Sequence, residues 1–511
     1  ELAKLMEAEV LLSRGRGPRT TYVFKHALIQ DAAYGSLIKS KRRELHQRIA
    51  EVLENDFSDL ARHQPELLAL HFTEAGETDK AIDYWARAGA RSLERRAHKE
   101  AIQHLRYAIE LLSLQPETDA RWRREVELQT QLGVPLQATI GYSAPEVHQT
   151  YARAHELCMR LGLTTAQFPV LYGMFRYYML QANYRTAREL GSQLLTIADQ
   201  TRVPHYVVAA NRARGAPPVY EGRHTEALPF LQAVIAIQPS SELRTEVNRY
   251  DVVDPWIAAR SYLSWATWLL GYPEQSMRHS AEAVRIAEGL GHSFSIALAV
   301  SFSQWVHQFR RDVVKTRAAA ERALATSREH GFAFWYGWCG IMRGWAIAQQ
   351  SRGDEAIAEI RQGIADWRAQ GSELGSHYYY ILLAEACLAC RRFDEARTSL
   401  DDAQRFARET GEGFYLPELY RLSGRIALQS GPSAVSDAES AFRESLELAR
   451  AQQAKSLELR AAVDLASLLT QRGDRAKAIE QLAPLAAWFS EGDDTSDVGR
   501  LRKQLAELKA M

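Results

Sequence analysis

Apolar residues recur along most of this chain at i, i+3, i+4 and i+7, the spacing of helices that bury one face. The head of the chain differs. Val10 to Leu12 and Thr20 to Phe24 are short β-type runs, and Arg14-Gly15-Arg16-Gly17-Pro18-Arg19 between them carries the Gly and Pro of a turn, so a small hairpin is predicted. Leu28, Ala32 and Leu37, then Leu45, Ile49 and Val52 or Leu53, return to helical spacing, with Ser40 placed to cap the second of two helices. Hairpin and helices close a small domain near Asn55. From about Pro65 strand signals vanish, and short helical segments alternate with turns such as Ala75-Gly76-Glu77, Glu221-Gly222-Arg223 and Arg472-Gly473-Asp474. The remainder is a string of helical hairpins.

Those hairpins repeat. Trp85, Gly89, Ala101, Leu105 and Ala108 fit the tetratricopeptide pattern, with Ala88 and Leu105 as small departures. A second-helix marker then recurs at Val147, Ala187, Ala227, Ser276, Thr316, Ala356, Ala396, Ala438 and Ala478, at spacings of 40, 40, 49, 40, 40, 40, 42 and 40. Gly291, Gly331, Gly371 and Gly411 each follow a marker by 15 residues, where a left-handed helix cap favours glycine. The expected fold is all-α: a right-handed superhelical, tetratricopeptide-like solenoid of about ten hairpins, with helices longer than those of the ~34-residue standard unit. Residues 1–55, 56–140 and 141–511 are read as the head module, the first hairpins and the 40-residue array. The long spacing before Ser276 falls between Pro239 and Pro255 and is read as a surface loop or extra turn; such insertions sometimes carry binding, but the plainer reading is tolerated length.

Charge narrows the possible partners. Lys plus Arg equals Asp plus Glu at 63 each, so no global excess draws the chain to a polyanion or an anionic membrane. Cys158, Cys339, Cys387 and Cys390 are too few and too unevenly spaced for a disulfide framework, which points to a reducing, cytoplasmic setting. The longest apolar stretch, Tyr378 to Cys390 with Glu385 inside it, falls short of the ~20 residues of a spanning helix, so no membrane segment is expected. Glu1 in place of Met, with no basic-then-apolar leader, suggests a fragment without a signal peptide.

Catalytic signatures are missing. The chain has no G-x-x-x-x-G-K-[ST], no G-x-G-x-x-G after a strand and no H-E-x-x-H. Cys387-Leu-Ala-Cys390 lies in an array helix with no second pair, which reads as two packed thiols rather than a zinc or redox site. No catalytic group, metal site or cofactor is assigned.

Aromatic placement is more informative. The first helix of each tetratricopeptide hairpin lines the concave surface, and with Ala356 as position 20 of its repeat, Trp338 and Trp345 fall at inward positions 2 and 9. The same phase turns Tyr172, Tyr262, Trp265, Trp268, Trp305, Phe309 and Tyr378 inward, joined by Arg176, Arg212, Arg421 and Arg425. The expectation is a groove for a protein, a peptide or a small-molecule inducer; the alternative is packing between neighbouring helices.

Phe24-Lys25-His26-Ala27-Leu28, Ala32-Ala33-Tyr34, Arg42-Arg43-Glu44-Leu45-His46 and Ile49-Ala50 resemble the junction in bacterial multidomain signalling proteins of the STAND ATPase class. The family most resembled carries an adenylate/guanylate cyclase domain, an AAA-type ATPase and then a tetratricopeptide region. Trp268-Leu-Leu-Gly-Tyr-Pro273, His307-Gln-Phe-Arg-Arg311, Phe414-Tyr-Leu-Pro-Glu-Leu419 and Trp488-Phe-Ser-Glu-Gly492 also resemble family segments.

The resemblance implies that residues 1–55 end a winged-helix module and that the array is a non-catalytic regulatory, sensor and interaction region contacting an intramolecular ATPase. ATP, ADP and Mg are then expected only in upstream domains. His26 corresponds to a winged-helix histidine that contacts ADP phosphate in STAND proteins, with Ala27 where that motif carries an acid. The basic run Lys39, Lys41, Arg42 and Arg43 is read as a solvated face or an ATPase contact, not a nucleic-acid grip. A passive scaffold and the ligand-sensing region of an ATP-dependent transcriptional activator are the competing readings.

Overall fold

The computed structural model describes residues 2–14, 20–95, 97–249, 251, 253–332, 334–351 and 353–510, with only the backbone of 430 and 432. The chain forms two compact units, Glu1–Pro135 and Leu136–Met511.

In the first unit the strands Leu11–Arg14 and Thr21–Phe24 pair antiparallel, Leu11 opposite Phe24 and Arg14 opposite Thr21. Residues 15–19 of the predicted turn lie outside the described residues. Two helices follow, Ala27–Ser36 and Lys39–Asp56. The cap of the second is Ile38, not Ser40. Ile38 is extended, and its carbonyl accepts from the Lys41 and Arg42 amides, leaving Ser40 already inside the first turn. Beyond it the Lys39–Asp56 helix meets the first hairpins: His46 and His71 lie 2.7 Å apart, and Glu54 accepts from Lys80 Nζ and the Tyr84 hydroxyl at 2.7 and 2.9 Å.

The tetratricopeptide signature places Trp85 on the Thr78–Glu94 helix and Ala101, Leu105 and Ala108 on the His98–Ser113 helix, all buried. A side chain on Gly89 would meet Leu105 Cγ at 2.6 Å, so glycine sets how closely these helices approach.

In the second unit the helices pack in consecutive pairs, as tetratricopeptide-type repeats do. All nine markers fall in the first turn of a helix, and every one is fully buried; the eight from Ala187 onward lie on helices packed against the helix before them. Ser276 shows the contact directly, its Oγ donating to the Ser264 carbonyl at 2.6 Å. Gly291, Gly331 and Gly411 cap their helices with φ of +62°, +70° and +79°; Gly371, one residue past its cap, has φ +74°.

Between Pro239 and Pro255 the described residues include a short helix and a buried acid, more than the surface loop or extra turn expected from the sequence. Ser240 caps a helix at Ser241–Asn248, and Asp251 turns inward to the Arg212 guanidinium and the Tyr172 hydroxyl, with both residues buried. Asp254 then caps the Pro255–Leu269 helix through the Trp256 and Ile257 amides. Two buried arginines, Arg176 and Arg212, need a carboxylate beside them, and the insertion delivers it.

Repeats far apart in sequence also touch. The amides of Glu373 and Leu374 donate to the Leu180 carbonyl, and those of Gly413 and Phe414 to the Tyr220 carbonyl. Gln181 donates to the Gly371 carbonyl across 190 residues, and Ser456 to that of Trp268 across 188. Glu412, fully buried, accepts from the Tyr184 hydroxyl at 2.6 Å and the Gly375 amide at 3.1 Å. The four family-like segments quoted above lie at such contacts. Trp268–Pro273 meets Ser456, Arg310 and Trp488; Phe309 accepts from Arg460; Phe414 donates to Tyr220; and Glu491 accepts from the Glu274 amide.

Candidate functional site

Of the thirteen residues expected to line a groove, twelve are buried and Arg425 alone is exposed. Tyr262, Trp265, Trp268, Trp305, Phe309, Trp338 and Tyr378 do turn to one side of the array, but there they fill the interior. Trp265 stacks on Trp305 at 4.0 Å between ring centroids, Trp305 meets Tyr378 at 4.2 Å, and Trp268 stacks on Phe309 at 4.7 Å. Tyr172, Arg176 and Arg212 surround Asp251, with Arg176 over the Tyr142 ring. The expected open aromatic groove is therefore a closed core. Its physical reason is the set of contacts between repeats about 190 residues apart, which wind the array until its inner aromatics touch one another.

Trp345, Arg421 and Arg425 belong to a different setting. An open cavity of about 570 Å³ lies among the first helices of the last hairpins, Ser376–Ala389, Leu416–Ala427, Lys455–Gln471 and Ser496–Ala510, with the turn at Arg311. Its base is a charge lattice. Glu385 accepts from Arg311 Nη1 at 2.7 Å and from Trp345 Nε1 at 2.8 Å. Arg311 Nη2 reaches Glu418 at 2.6 Å, and Arg421 binds both oxygens of that carboxylate, at 2.9 and 2.6 Å. Arg421 also pairs with Asp464, whose second oxygen accepts from Arg500 at 2.9 Å. Arg460 donates to Asp497 at 2.7 Å and to the Tyr415 hydroxyl at 2.9 Å.

The lattice holds its charges firmly. The Glu418 carboxyl is fully buried, yet Arg421 and then Arg460 keep its pKa well below the usual carboxylate range. Buried ions of this kind persist only when paired and hydrogen-bonded. Leu388, Leu422, Leu459 and Val463 supply an apolar part of the wall. With its cations fixed by buried carboxylates, the arrangement suits the binding of an anionic group.

Of the cavity residues, the groove reading contained only Arg421 and Arg425. Arg311, Glu385, Arg391, Arg460, Asp497 and Arg500 were missed, as were Glu418 and Asp464 in the lattice beneath them. A signal existed in the period itself: Glu385, Arg425 and Asp464 are 40 and 39 apart, as Arg421, Arg460 and Arg500 are 39 and 40 apart. Charge recurring at one repeat position on an otherwise apolar face would have marked the site.

The other candidates are quickly placed. His26 is exposed at the N-cap of the Ala27–Ser36 helix and makes no side-chain capping bond. In the basic run, Lys41 pairs with Glu44, and Arg42 donates to the Leu37 and Gly35 carbonyls while lying over Tyr34. Burial pushes the Cys387 thiol up to about 11, and the Cys390 thiol lies 3.8 Å from the Gly353 carbonyl. Among the described residues no group of three or more His, Cys, Asp or Glu is disposed to hold a metal, and no helix is long and apolar enough to cross a membrane.

No protein-family model matches the chain. An uncharacterized protein of Rhizobium meliloti (strain 1021) is 24% identical over 457 residues, covering 88% of this chain and 44% of the relative, so the chain spans under half of that protein's length. Among solved structures, a STAND protein with a tetratricopeptide repeat sensor from Pyrococcus horikoshii is 13% identical with a TM-score of 0.39, over 77% of this chain and 54% of that one. The APC/C hetero-tetramer Cut9–Hcn1 is 10% identical with a TM-score of 0.45, over 94% and 91%. A Rap protein complexed with competence and sporulation factor is 12% identical with a TM-score of 0.41, over 85% and 99%. The hairpin period, the buried markers and the left-handed caps make this chain a tetratricopeptide-like helical repeat region, an architecture consistent with a protein-interaction scaffold.

Proposed function

We propose that this chain is the non-catalytic regulatory, sensor and protein-interaction region of a cytoplasmic STAND ATPase-linked signalling protein, one whose upstream part includes a nucleotide cyclase. The observation that carries the reading is an apolar surface on the head module. In the Ala27–Ser36 helix no side chain is buried; Leu28 is 82% exposed and Ile38, just beyond, 71%, with Ile29, Tyr34, Ile49 and Val52 exposed nearby in sequence. So many apolar side chains left exposed along one short segment support an interaction surface there. His26 stands at the same helix start, which supports its assignment as the residue that senses nucleotide held by the docked ATPase. ATP, ADP and Mg belong to that domain; the array biases it between closed and open states when its own ligand favours one of them.

In the full-length polypeptide, Leu28→Asp combined with Ile38→Asp is expected to change ATP hydrolysis or ADP release at least ~5-fold, and His26→Ala to speed ADP release. Unchanged nucleotide kinetics in both variants, with partner capture by the array intact, would establish the passive scaffold instead.

A further inference from the structure

The charge lattice does not close on itself. Arg311, Arg421, Arg460 and Arg500 are matched by Glu385, Glu418, Asp464 and Asp497. Two further arginines line the same cavity, Arg391 and Arg425, and no carboxylate among the described residues forms an ion pair with either. The cavity thus carries two positive charges beyond those its own acids neutralise. Arg425 is exposed, yet burial by the surrounding chain, and then the charge of Arg421, pushes its pKa down, as expected of a cation short of counter-charge.

Backbone conformation singles out the same place. Five residues before six of the nine markers the chain turns through a left-handed residue, and the array uses Gly222, Gly271 and Gly473 at three of these turns, with φ of +79°, +95° and +83°. Ala182 occupies the position once, at +52°. At Arg311 and Arg391 a long side chain takes the left-handed conformation instead, at +59° and +60°, which is unfavourable for any residue with a Cβ. Both of these arginines line the cavity. Strain retained where glycine would relieve it is typical of residues whose side chains are needed. Arg311 is accounted for by Glu385 and Glu418; Arg391 has no such partner among the described residues.

We propose that this cavity binds a small organic dianion, a phosphate monoester or a dicarboxylate, with Arg391 and Arg425 as the residues that meet its charge. Guanidinium groups bind both anions through paired hydrogen bonds. The lattice beneath holds Arg421 and Arg460 in place, and Leu388, Leu422 and Val463 face the carbon part of the ligand. A volume of about 570 Å³ is in the range that accommodates a metabolite. The inference rests on the sensor reading and names the ligand class of that sensor.

The test is isothermal titration calorimetry on the full chain at fixed ionic strength, with glucose 6-phosphate as the phosphate arm, succinate as the dicarboxylate arm and glucose as the uncharged control. Saturable binding is expected in at least one arm and none with glucose. Arg391→Gln and Arg425→Gln, both at exposed positions, should each weaken it about tenfold, and Arg391→Lys should restore part of the loss. Circular dichroism confirms that each variant stays folded. Binding equal in wild type and the double Gln variant, or no saturable binding in either arm, overturns the site. The assay reads binding alone: loss of the site leaves the docking surface on the head module intact, and an anion that binds without altering nucleotide kinetics overturns the sensor reading and not the site.

Discussion

At the scale of single residues, Glu412 is the most exacting position. It lies fully buried between Tyr184 and Gly375, and burial pushes its carboxyl from 4.5 up to about 8, outweighing the hydrogen bonds that favour the charged form. A carboxyl whose folded pKa is raised stabilises the fold fully below pH 4.5 and loses that contribution as pH rises toward about 8. Glu412→Gln keeps an acceptor for Tyr184 and removes the titration. The stability difference between variant and wild type, followed by urea denaturation, should therefore grow with pH by ~1.4 kcal/mol per unit through that window and level off above it. A difference independent of pH would mean that Glu412 is charged throughout. Nothing in the sequence announced this residue: Glu412 follows a helix-capping glycine and reads as a solvated turn until a hairpin 228 residues away closes over it.

At the scale of elements, glycine decides how near two helices come. Phe334–Ser351 and Asp354–Ala369 cross with Gly337 against Gly363, where a Cβ on Gly337 would lie 2.6 Å from the Gly363 carbonyl oxygen and 2.8 Å from the Trp367 amide nitrogen. Backbone cannot yield as a side chain does, so Gly337→Ala should cost about 1–3 kcal/mol or more. Gly289, inside Pro273–Leu290, has nothing within 4 Å, and Gly289→Ala should gain roughly 0.5–1 kcal/mol. Thermal denaturation of the pair separates close packing from helix propensity.

Much at this scale was legible. The 40-residue spacing located the start of nine helices, because each marker must be buried against its partner helix. The helix at Ser241–Asn248 was not legible, since its eight residues repeat nothing. Nor was the Ile38 cap, where backbone geometry alone ends the preceding chain and no side chain advertises the position.

At the scale of the second unit, the decisive facts are long-range. Amides of Glu373, Leu374, Gly413 and Phe414 are held by carbonyls nearly 200 residues earlier, so they should exchange hydrogen only through opening of the whole unit. Exchange as fast as in the exposed Thr21–Phe24 strand would show that the array opens between turns. The failure of the groove reading lies here as well. A repeat phase states which way a side chain points, and Trp305 and Trp345 do point inward; it cannot state how tightly the array winds, which depends on contacts such as Arg460 to Phe309 that no local pattern encodes.

Those same contacts change what kind of repeat protein this is. In an open array each unit touches only its neighbours, so evolution adds or removes units and folding proceeds from any point along the row. Here removal of one hairpin would shift every partner across the next turn by 40 residues and leave Leu180, Tyr220 and Trp268 facing the wrong segments. The number of units in the second half of this chain is thus a fixed inheritance. Homologues should differ in side chains and turn lengths rather than in repeat count, and the unit should fold slowly and as one, in the manner of a globular domain.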